Sequence, residues 1–128
     1  MSPDFLLVYI LFVHYVADFI CQTRYQAMNK SRGKSFFNDA LFGHVLVYSI
    51  IWFLAWVAVS PTTGWGLLQC FEFSVITFIC HYTTDYFTSR INKYFFDKLD
   101  YHNGFNGVGA DQILHYLQLW FMFKMLTL

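Results

Sequence analysis

The sequence predicts an all-α protein: an integral membrane bundle of four transmembrane helices with both termini on the outer, periplasmic side. Three observations carry this. Four apolar stretches approach the ~20 residues that a helix needs to cross a hydrocarbon core about 30 Å thick. Charged residues make up only 12% of the 128 positions, and hydrophobic ones 57%, whereas soluble domains carry about 25% charged residues. Seven of the eight lysines and arginines fall in two of the three connections between the stretches.

The first stretch runs from about Phe5 to Cys21. Met1-Ser2-Pro3-Asp4 has no basic residue, no small-residue cleavage site follows, and His14 and Asp18 interrupt the apolar run. It therefore reads as a retained span and not as a signal peptide. The second stretch covers Ala40 to Val59, with Pro61 and Gly64 punctuating the short link to the third, Leu67 to Phe87. Asn103, Gly104, Asn106, Gly107 and Gly109 mark a flexible approach to the fourth, Ala110 to Leu128. Nothing remains for a second unit, so residues 1–128 form a single domain without internal linkers.

Orientation follows from the basic residues. The first connection holds Arg24, Lys30, Arg32 and Lys34, the third holds Arg90, Lys93 and Lys98, and the second holds none. Positive loops stay in the cytoplasm, which predicts a multi-pass protein of the inner membrane. Lys124 reaches the outer interface by snorkelling. Trp56 and Trp65 fit an outer interfacial belt. Zero net charge leaves no basic surplus for a phosphate backbone, so nucleic acid is excluded as a partner. Cys21, Cys70 and Cys80 are odd in number and set in apolar surroundings, so no disulfide framework is expected.

The main clue is polar. Insertion of an Asp into a bilayer costs about 2.5–3.5 kcal/mol, yet the four stretches contain His14, Asp18, His44, His81, Asp85, Asp111 and His115. Three of the stretches carry a His/Asp pair at i, i+4, a spacing that puts both side chains on one helix face. At about 1.5 Å rise per residue, all seven fall within roughly 12 Å of the cytoplasmic boundary.

Imidazole nitrogens and carboxylate oxygens are the ligands of zinc, and also of manganese or iron. The seven residues suit two ions sharing a carboxylate, or one ion with Asp–His partners behind its ligands. Each has a plainer reading. A lone His44 is as readily a hydrogen-bond partner between helices, and Asp111 could simply favour the positive end of a helix that it opens. Three pairs repeating the same penalty argue for a shared purpose. Glu72 is expected to reach water at the outer end of its helix. In the first connection, Gln22 and Lys30 are candidates to grip an anionic substrate group, while Arg32 and Lys34 read as topology determinants.

His14-x3-Asp18-Phe19-x2-Gln22-Thr23, then Ala27, Lys30, His44, His81-x3-Asp85 and Asp111-Gln112-x2-His115, resemble the prokaryotic and phage membrane family called domain of unknown function 3307. The resemblance covers essentially the whole chain and implies a small polytopic membrane protein with His/Asp-rich helices. The His-x3-Asp pattern is also similar to membrane-bound metal-dependent hydrolases and, more remotely, to helical zinc-dependent phospholipase C enzymes.

The expectation is a metal-dependent hydrolase acting at the cytoplasmic leaflet on a phosphoester of a lipid or lipid-linked molecule. One of Asp18, Asp85 or Asp111 would serve as general base. Two alternatives stay open: a proton- or cation-conducting protein, and a non-enzymatic phage or bacterial factor acting on a host envelope component. A four-helix unit this small also has the surface to assemble with copies of itself.

Overall fold

A computed structural model describes residues 1–128 as five α-helices with no strand. Helix α1 (Pro3–Tyr15) starts at Ser2, whose hydroxyl accepts the Phe5 amide, with Pro3 in its first turn. It runs directly into a π-helical turn, Val16–Ile20, closed by the Cys21 amide donating to the Val16 carbonyl. The short helix α2 (Arg24–Asn29) is fixed by a capping box in which Thr23 and Gln26 satisfy each other's backbone amides. Helices α3 (Asp39–Thr63), α4 (Leu67–Asp97) and α5 (Tyr101–Leu126) complete the bundle. Helix α4 packs along both α3 and α5, while α1 lies against α3 and α5.

Both termini lie at the end where α3 turns into α4. The Met1 ammonium donates to the Thr62 carbonyl, and the Gln69 side chain donates to the Leu126 carbonyl. The opposite end gathers α2, the segment from Lys30 to Asn38 and the α4–α5 turn, and with them the seven clustered basic residues.

Three expectations about the connections are corrected. Helix α3 continues through Pro61 and ends only at Gly64, which caps it with φ 74°. Pro61 lies in the last turn, where little helix remains for its missing N–H to disrupt. Helix α4 runs ten residues past Phe87. The Asn/Gly stretch at 103–109 is the first part of α5 and not a flexible approach. Two of its glycines serve helix contact: a Cβ at Gly104 would lie 2.7 Å from the Phe96 ring, and one at Gly107 would lie 2.0 Å from Asn92 Oδ1. The α4–α5 reversal is tight, with Leu99 in the left-handed region at φ 58° and Asp100 capping the Asn103 amide.

The segment before α3 is held by side chains. Asn38 caps α3 through Oδ1 while its amide nitrogen donates to the carbonyls of Asn29 and Arg32. Tyr82 donates to the Phe36 carbonyl, and Arg90 spreads over the carbonyls of Arg32, Gly33 and Ser35.

By length and composition, Pro3–Ile20 and Asp39–Thr63 can cross a membrane, with mean hydropathies of 1.6 and 2.0. Helices α4 and α5 have the length, but their polar residues dilute the apolar character. Large apolar side chains project outward along all four long helices, among them Phe12, Leu54, Ile79 and Phe121. The inward residues at the terminal end are mostly aromatic. Trp56 is fully buried, with ring centroids 4.9 Å from Trp65 and 5.2 Å from both Phe73 and Phe123. The interfacial belt expected of Trp56 and Trp65 is therefore corrected: both are core residues, 0% and 5% exposed. Glu72 is exposed.

Because Trp56 sits at the centre of this aromatic core, Trp56→Ala should remove about 3–5 kcal/mol of stability. Phe121→Ala, on an outward position, should change it by less than about 0.5 kcal/mol. Denaturant titration of detergent-solubilised protein, followed by circular dichroism, separates the two. Equal losses would show that the core is not where the structure puts it.

Candidate metal centre

At i, i+4 on their helices, His14/Asp18, His81/Asp85 and Asp111/His115 all turn inward and meet His44 of α3 at one level of the bundle. All seven residues are buried, none more than 7% exposed. Asp18 lies in the π-helical turn, where the wider winding carries it into the bundle beyond the end of α1.

Four atoms form the tightest group: Asp18 Oδ1, His44 Nε2, His81 Nε2 and Asp85 Oδ2. His44 Nε2 lies 3.0 Å from Asp18 Oδ1, 3.2 Å from His81 Nε2 and 3.4 Å from Asp85 Oδ2. His81 Nε2 lies 3.3 Å from Asp18 Oδ1 and 3.6 Å from Asp85 Oδ2. Zinc ligands stand about 2.0–2.1 Å from the ion, and a regular tetrahedron of that radius has an edge of about 3.3 Å. The five separations scatter around that length. Asp18, Asp111 and His115 form a second, looser group of ligand atoms within 4.8 Å of one another. The arrangement suits a divalent ion.

The remaining hydrogen bonds run in one direction through this cluster. Gln112 Nε2 donates to Asp18 Oδ2 at 3.3 Å and to Asp111 Oδ2 at 3.1 Å. Carboxylates only accept, so Gln112 Oε1 must be the acceptor of the 2.8 Å bond from His14 Nε2–H. His14 Nδ1 is then free to accept from the Tyr48 hydroxyl at 2.7 Å. With both nitrogens used, His14 stands outside both ligand groups and orients Gln112.

A similar chain serves His81. If its Nε2 lone pair faces the four-atom group, its Nδ1–H donates to His115 Nδ1 at 3.1 Å. His115 Nε2–H then faces Asp85 Oδ1 at 3.1 Å and Asp111 Oδ1 at 3.2 Å. Ligating histidines are characteristically held by such partners. The Asp111 Oδ1 contact is poorly aligned, which leaves this buried oxygen without a hydrogen bond.

Lys30, at the end of α2, sends its ammonium to within 2.9 Å of Asp85 Oδ2. Burial pushes its pKa down, but the Asp85 and Asp18 carboxylates outweigh burial and hold it above the ordinary lysine value. A close approach makes this reach possible: a Cβ at Gly43 would lie 3.2 Å from Gln26 Nε2, so α2 sits directly on α3.

Beside the cluster a cleft of about 560 Å³ opens at the basic end. Asp18, Gln22, Lys30, Asp111 and Gln112 line its inner part, so both residues expected to grip a substrate, Gln22 and Lys30, face it. The extended α4–α5 hairpin supplies another wall through Ser89, Asn92 and Phe96. Arg32 instead pairs with Asp39 at the surface, 3.0 Å away. The three cysteines are free thiols.

Sequence reasoning missed Tyr48, Ser89 and Asn92. Tyr48 is fully buried and stacks on His81 with centroids 3.8 Å apart. Its signal was present: Tyr48 follows His44 at i, i+4, the spacing of the three His/Asp pairs. Asp111 is the eleventh residue of α5 and not its opening residue, which removes the helix-dipole explanation for it.

No curated protein and no solved structure matches the chain. Residues 6–128 match the family described as Protein of unknown function (DUF3307). That match takes in every residue of the cluster, and the chain belongs to this family.

Proposed function

We propose that the protein is a metal-dependent hydrolase embedded in the inner membrane, with four spans and its cleft facing the cytoplasm. The single observation that carries the chemistry is the group of four ligand atoms from Asp18, His44, His81 and Asp85, separated as ligands of one tetrahedral ion would be.

Charge supports one divalent ion per chain. Three buried carboxylates and the Lys30 ammonium leave two negative charges. A divalent cation cancels these with all four imidazoles neutral, the protonation state in which imidazole serves as a ligand. When bound, such an ion acts as a Lewis acid and lowers the pKa of a coordinated water. Zinc suits the nitrogen and oxygen donors, and manganese or iron would also be accepted.

The chain's own residues divide the remaining work. Asp18 and Asp85 hold the ion, which leaves Asp111 as the general base. The residue lines the cleft, and its Oδ1, 3.2 Å from His115 Nε2, accepts no well-aligned hydrogen bond. Gln112, oriented by His14, fixes the other Asp111 oxygen. Lys30 uses one of its three donors on Asp85, and the others are free for an anionic oxygen. A phosphoester of a lipid or lipid-linked molecule is the substrate class this suits.

Membrane insertion is supported by the outward apolar residues on all four long helices and by the gathering of seven basic residues at the cleft end. A conducting pore is less well supported. Beyond the cluster the bundle is filled by Tyr48, Trp52, Trp56 and Phe73, each fully buried.

Two measurements test this reading. Elemental analysis of purified protein should find one divalent ion per chain. The ion should be lost in His81→Ala and Asp85→Ala, retained in His14→Ala, and bound about 10–100-fold more weakly in His115→Ala. Wild-type protein that is folded and metal-free ends the hydrolase reading. For topology, single cysteines at Lys93 and Gly64 in a cysteine-free background should react with a membrane-impermeant maleimide from opposite sides, Gly64→Cys from the periplasm. Labelling of both from one side excludes the four-span arrangement.

A further inference from the structure

We propose that a second surface, an apolar groove between Phe36–Phe37 and helices α3 and α4, binds one anionic phospholipid of the inner leaflet. An acyl chain lies in the groove and the phosphate lies at Lys34 and Arg90. This rests on the membrane-embedded reading and is independent of the hydrolase one, because the groove and the cleft share no residue.

The groove holds about 190 Å³ between Phe36, Phe37, Phe42, Phe78 and Tyr82. That is below the roughly 300–1,000 Å³ of ordinary small-molecule sites, so a compact polar ligand is not its occupant. Its two hydroxyls are already engaged. Tyr82 donates to the Phe36 carbonyl at 2.7 Å, and Thr83 to the Ile79 carbonyl at 2.8 Å. With both donors spent, the groove presents hydrocarbon and ring faces. Phe37 is 81% exposed on a segment outside any helix, its amide held by the Ser35 hydroxyl. Lipid is the solvent that removes such a ring from water.

A stripe of α4 builds the polar end. Phe78, Tyr82, Tyr86 and Arg90 follow one another at i, i+4 and so share a face. Phe36 packs on both tyrosines, with ring centroids 5.1 Å from Tyr82 and 4.9 Å from Tyr86. The Arg90 guanidinium lies 3.7 Å from the centre of the Tyr86 ring, and the Tyr86 hydroxyl donates to the Lys34 carbonyl. The stripe thus passes from apolar through aromatic to cationic, the order of a phospholipid from chain to phosphate. From Phe78 to Arg90 it rises about 18 Å, at about 1.5 Å per residue. Half of a hydrocarbon core is about 15 Å thick, so a phosphate at Arg90 puts its acyl chain beside Phe78.

Charge selects the head group. Arg32 is paired with Asp39 at 3.0 Å, and Tyr25 also donates to that carboxylate. Arg90 bonds to backbone carbonyls, those of Tyr86, Arg32, Gly33 and Ser35, and the exposed Lys34 ammonium has no carboxylate partner. Two uncompensated positive charges therefore stand at the end of the groove, where basic residues attract anionic lipid. The same stretch of chain borders the cleft through Lys30 and Ser31. A lipid seated on its other side braces the segment that carries Lys30 to Asp85.

The test uses the full chain in dodecyl maltoside, titrated with dioleoyl phosphatidylglycerol or dioleoyl phosphatidylcholine and read by native mass spectrometry. The same lipids with a diazirine on one acyl chain map the contact by photo-cross-linking. One phosphatidylglycerol per chain should bind at least about fivefold more tightly than phosphatidylcholine. Lys34→Gln should remove about fivefold of that preference. Lys98→Gln, the same charge change at the same end but off the groove, should leave it unchanged. Phe37→Ala should weaken both lipids alike, and cross-links should fall on residues 36–42 and 78–83. Equal affinity for the two lipids, equal effects of Lys34→Gln and Lys98→Gln, or cross-links spread over all four long helices overturn the proposal. So does a dimer that forms through this face in place of the lipid-bound monomer. Cross-links confined to cleft residues such as Phe19 and Met28 overturn it as well, and place the lipid at the hydrolase site. Asp85→Ala should bind phosphatidylglycerol as the wild type does, so loss of the hydrolase reading leaves the groove standing. Cysteine labelling that fits four spans, without a phosphatidylglycerol preference, sinks the groove alone.

Discussion

Three carboxylates buried between apolar helices must be neutralised, and the bundle is organised around that requirement. An unpaired buried charge is worth several kcal/mol against folding, more than any single packing contact returns. Asp18 and Asp85 are therefore surrounded by imidazole, amide or ammonium groups from other helices, and Asp111 by Gln112 and His115 of its own helix. Much of the local structure at the cleft end makes sense only as support for this. The Thr23–Gln26 capping box starts α2, Gly43 lets α2 close on α3, and the end of α2 then points Lys30 at Asp85. Asn38, Tyr82 and Arg90 pin the chain that follows. With Lys30 delivered from outside the long helices, the site is assembled by tertiary contact and not by any one element.

The hydrogen-bond directions explain why so many histidines are needed. With an ion between the carboxylates, the Nε2 lone pairs of His44 and His81 would face it. His14 and His115 stand behind, each using one nitrogen to receive and the other to donate. A neutral imidazole does both through its two ring nitrogens. The result is a hydrogen-bonded network that ties the helices together across the bundle, which is what a buried polar cluster needs to specify one structure. The one carboxylate oxygen left out, Asp111 Oδ1, belongs to a residue of the cleft wall.

Helical class and the members of the cluster were legible in the sequence because both obey short-range rules. Apolar stretches near twenty residues and i, i+4 spacing are local, and His14, His81 and Asp85 could be placed on inward faces from spacing alone. What was not legible is long-range. Gly104 and Gly107 read as turn residues because glycine marks flexibility locally, yet their use is to admit Phe96 and Asn92 from the neighbouring helix. Trp56 and Trp65 read as interfacial because tryptophan usually is in membrane proteins. They are buried because four helix ends converge there with little else large enough to fill the space. The distinction between His14, which orients, and His44, which sits in the tetrahedral group, depends on where Tyr48 and Gln112 fall in three dimensions. No spacing rule contains that.

The two ends of the bundle therefore do different physical work. Beyond the cluster, closely packed Trp52, Trp56, Trp65 and Phe73 close the interior and supply the apolar burial that the polar layer gives up. On the other side, α4 and α5 continue as a hairpin for about three turns past the site, joined by the tight Leu99–Asp100 reversal. If that hairpin served only to connect two helices, a turn directly after the cluster would suffice. Its extra length instead builds a wall opposite α2 and sets the cluster at the bottom of a cleft. Anything reaching Asp111 and Lys30 must enter from the basic end, past Asn92 and Gln22. The aromatic plug makes the opposite approach impassable, so the same asymmetry that stabilises the bundle also decides the direction from which its chemistry is reached.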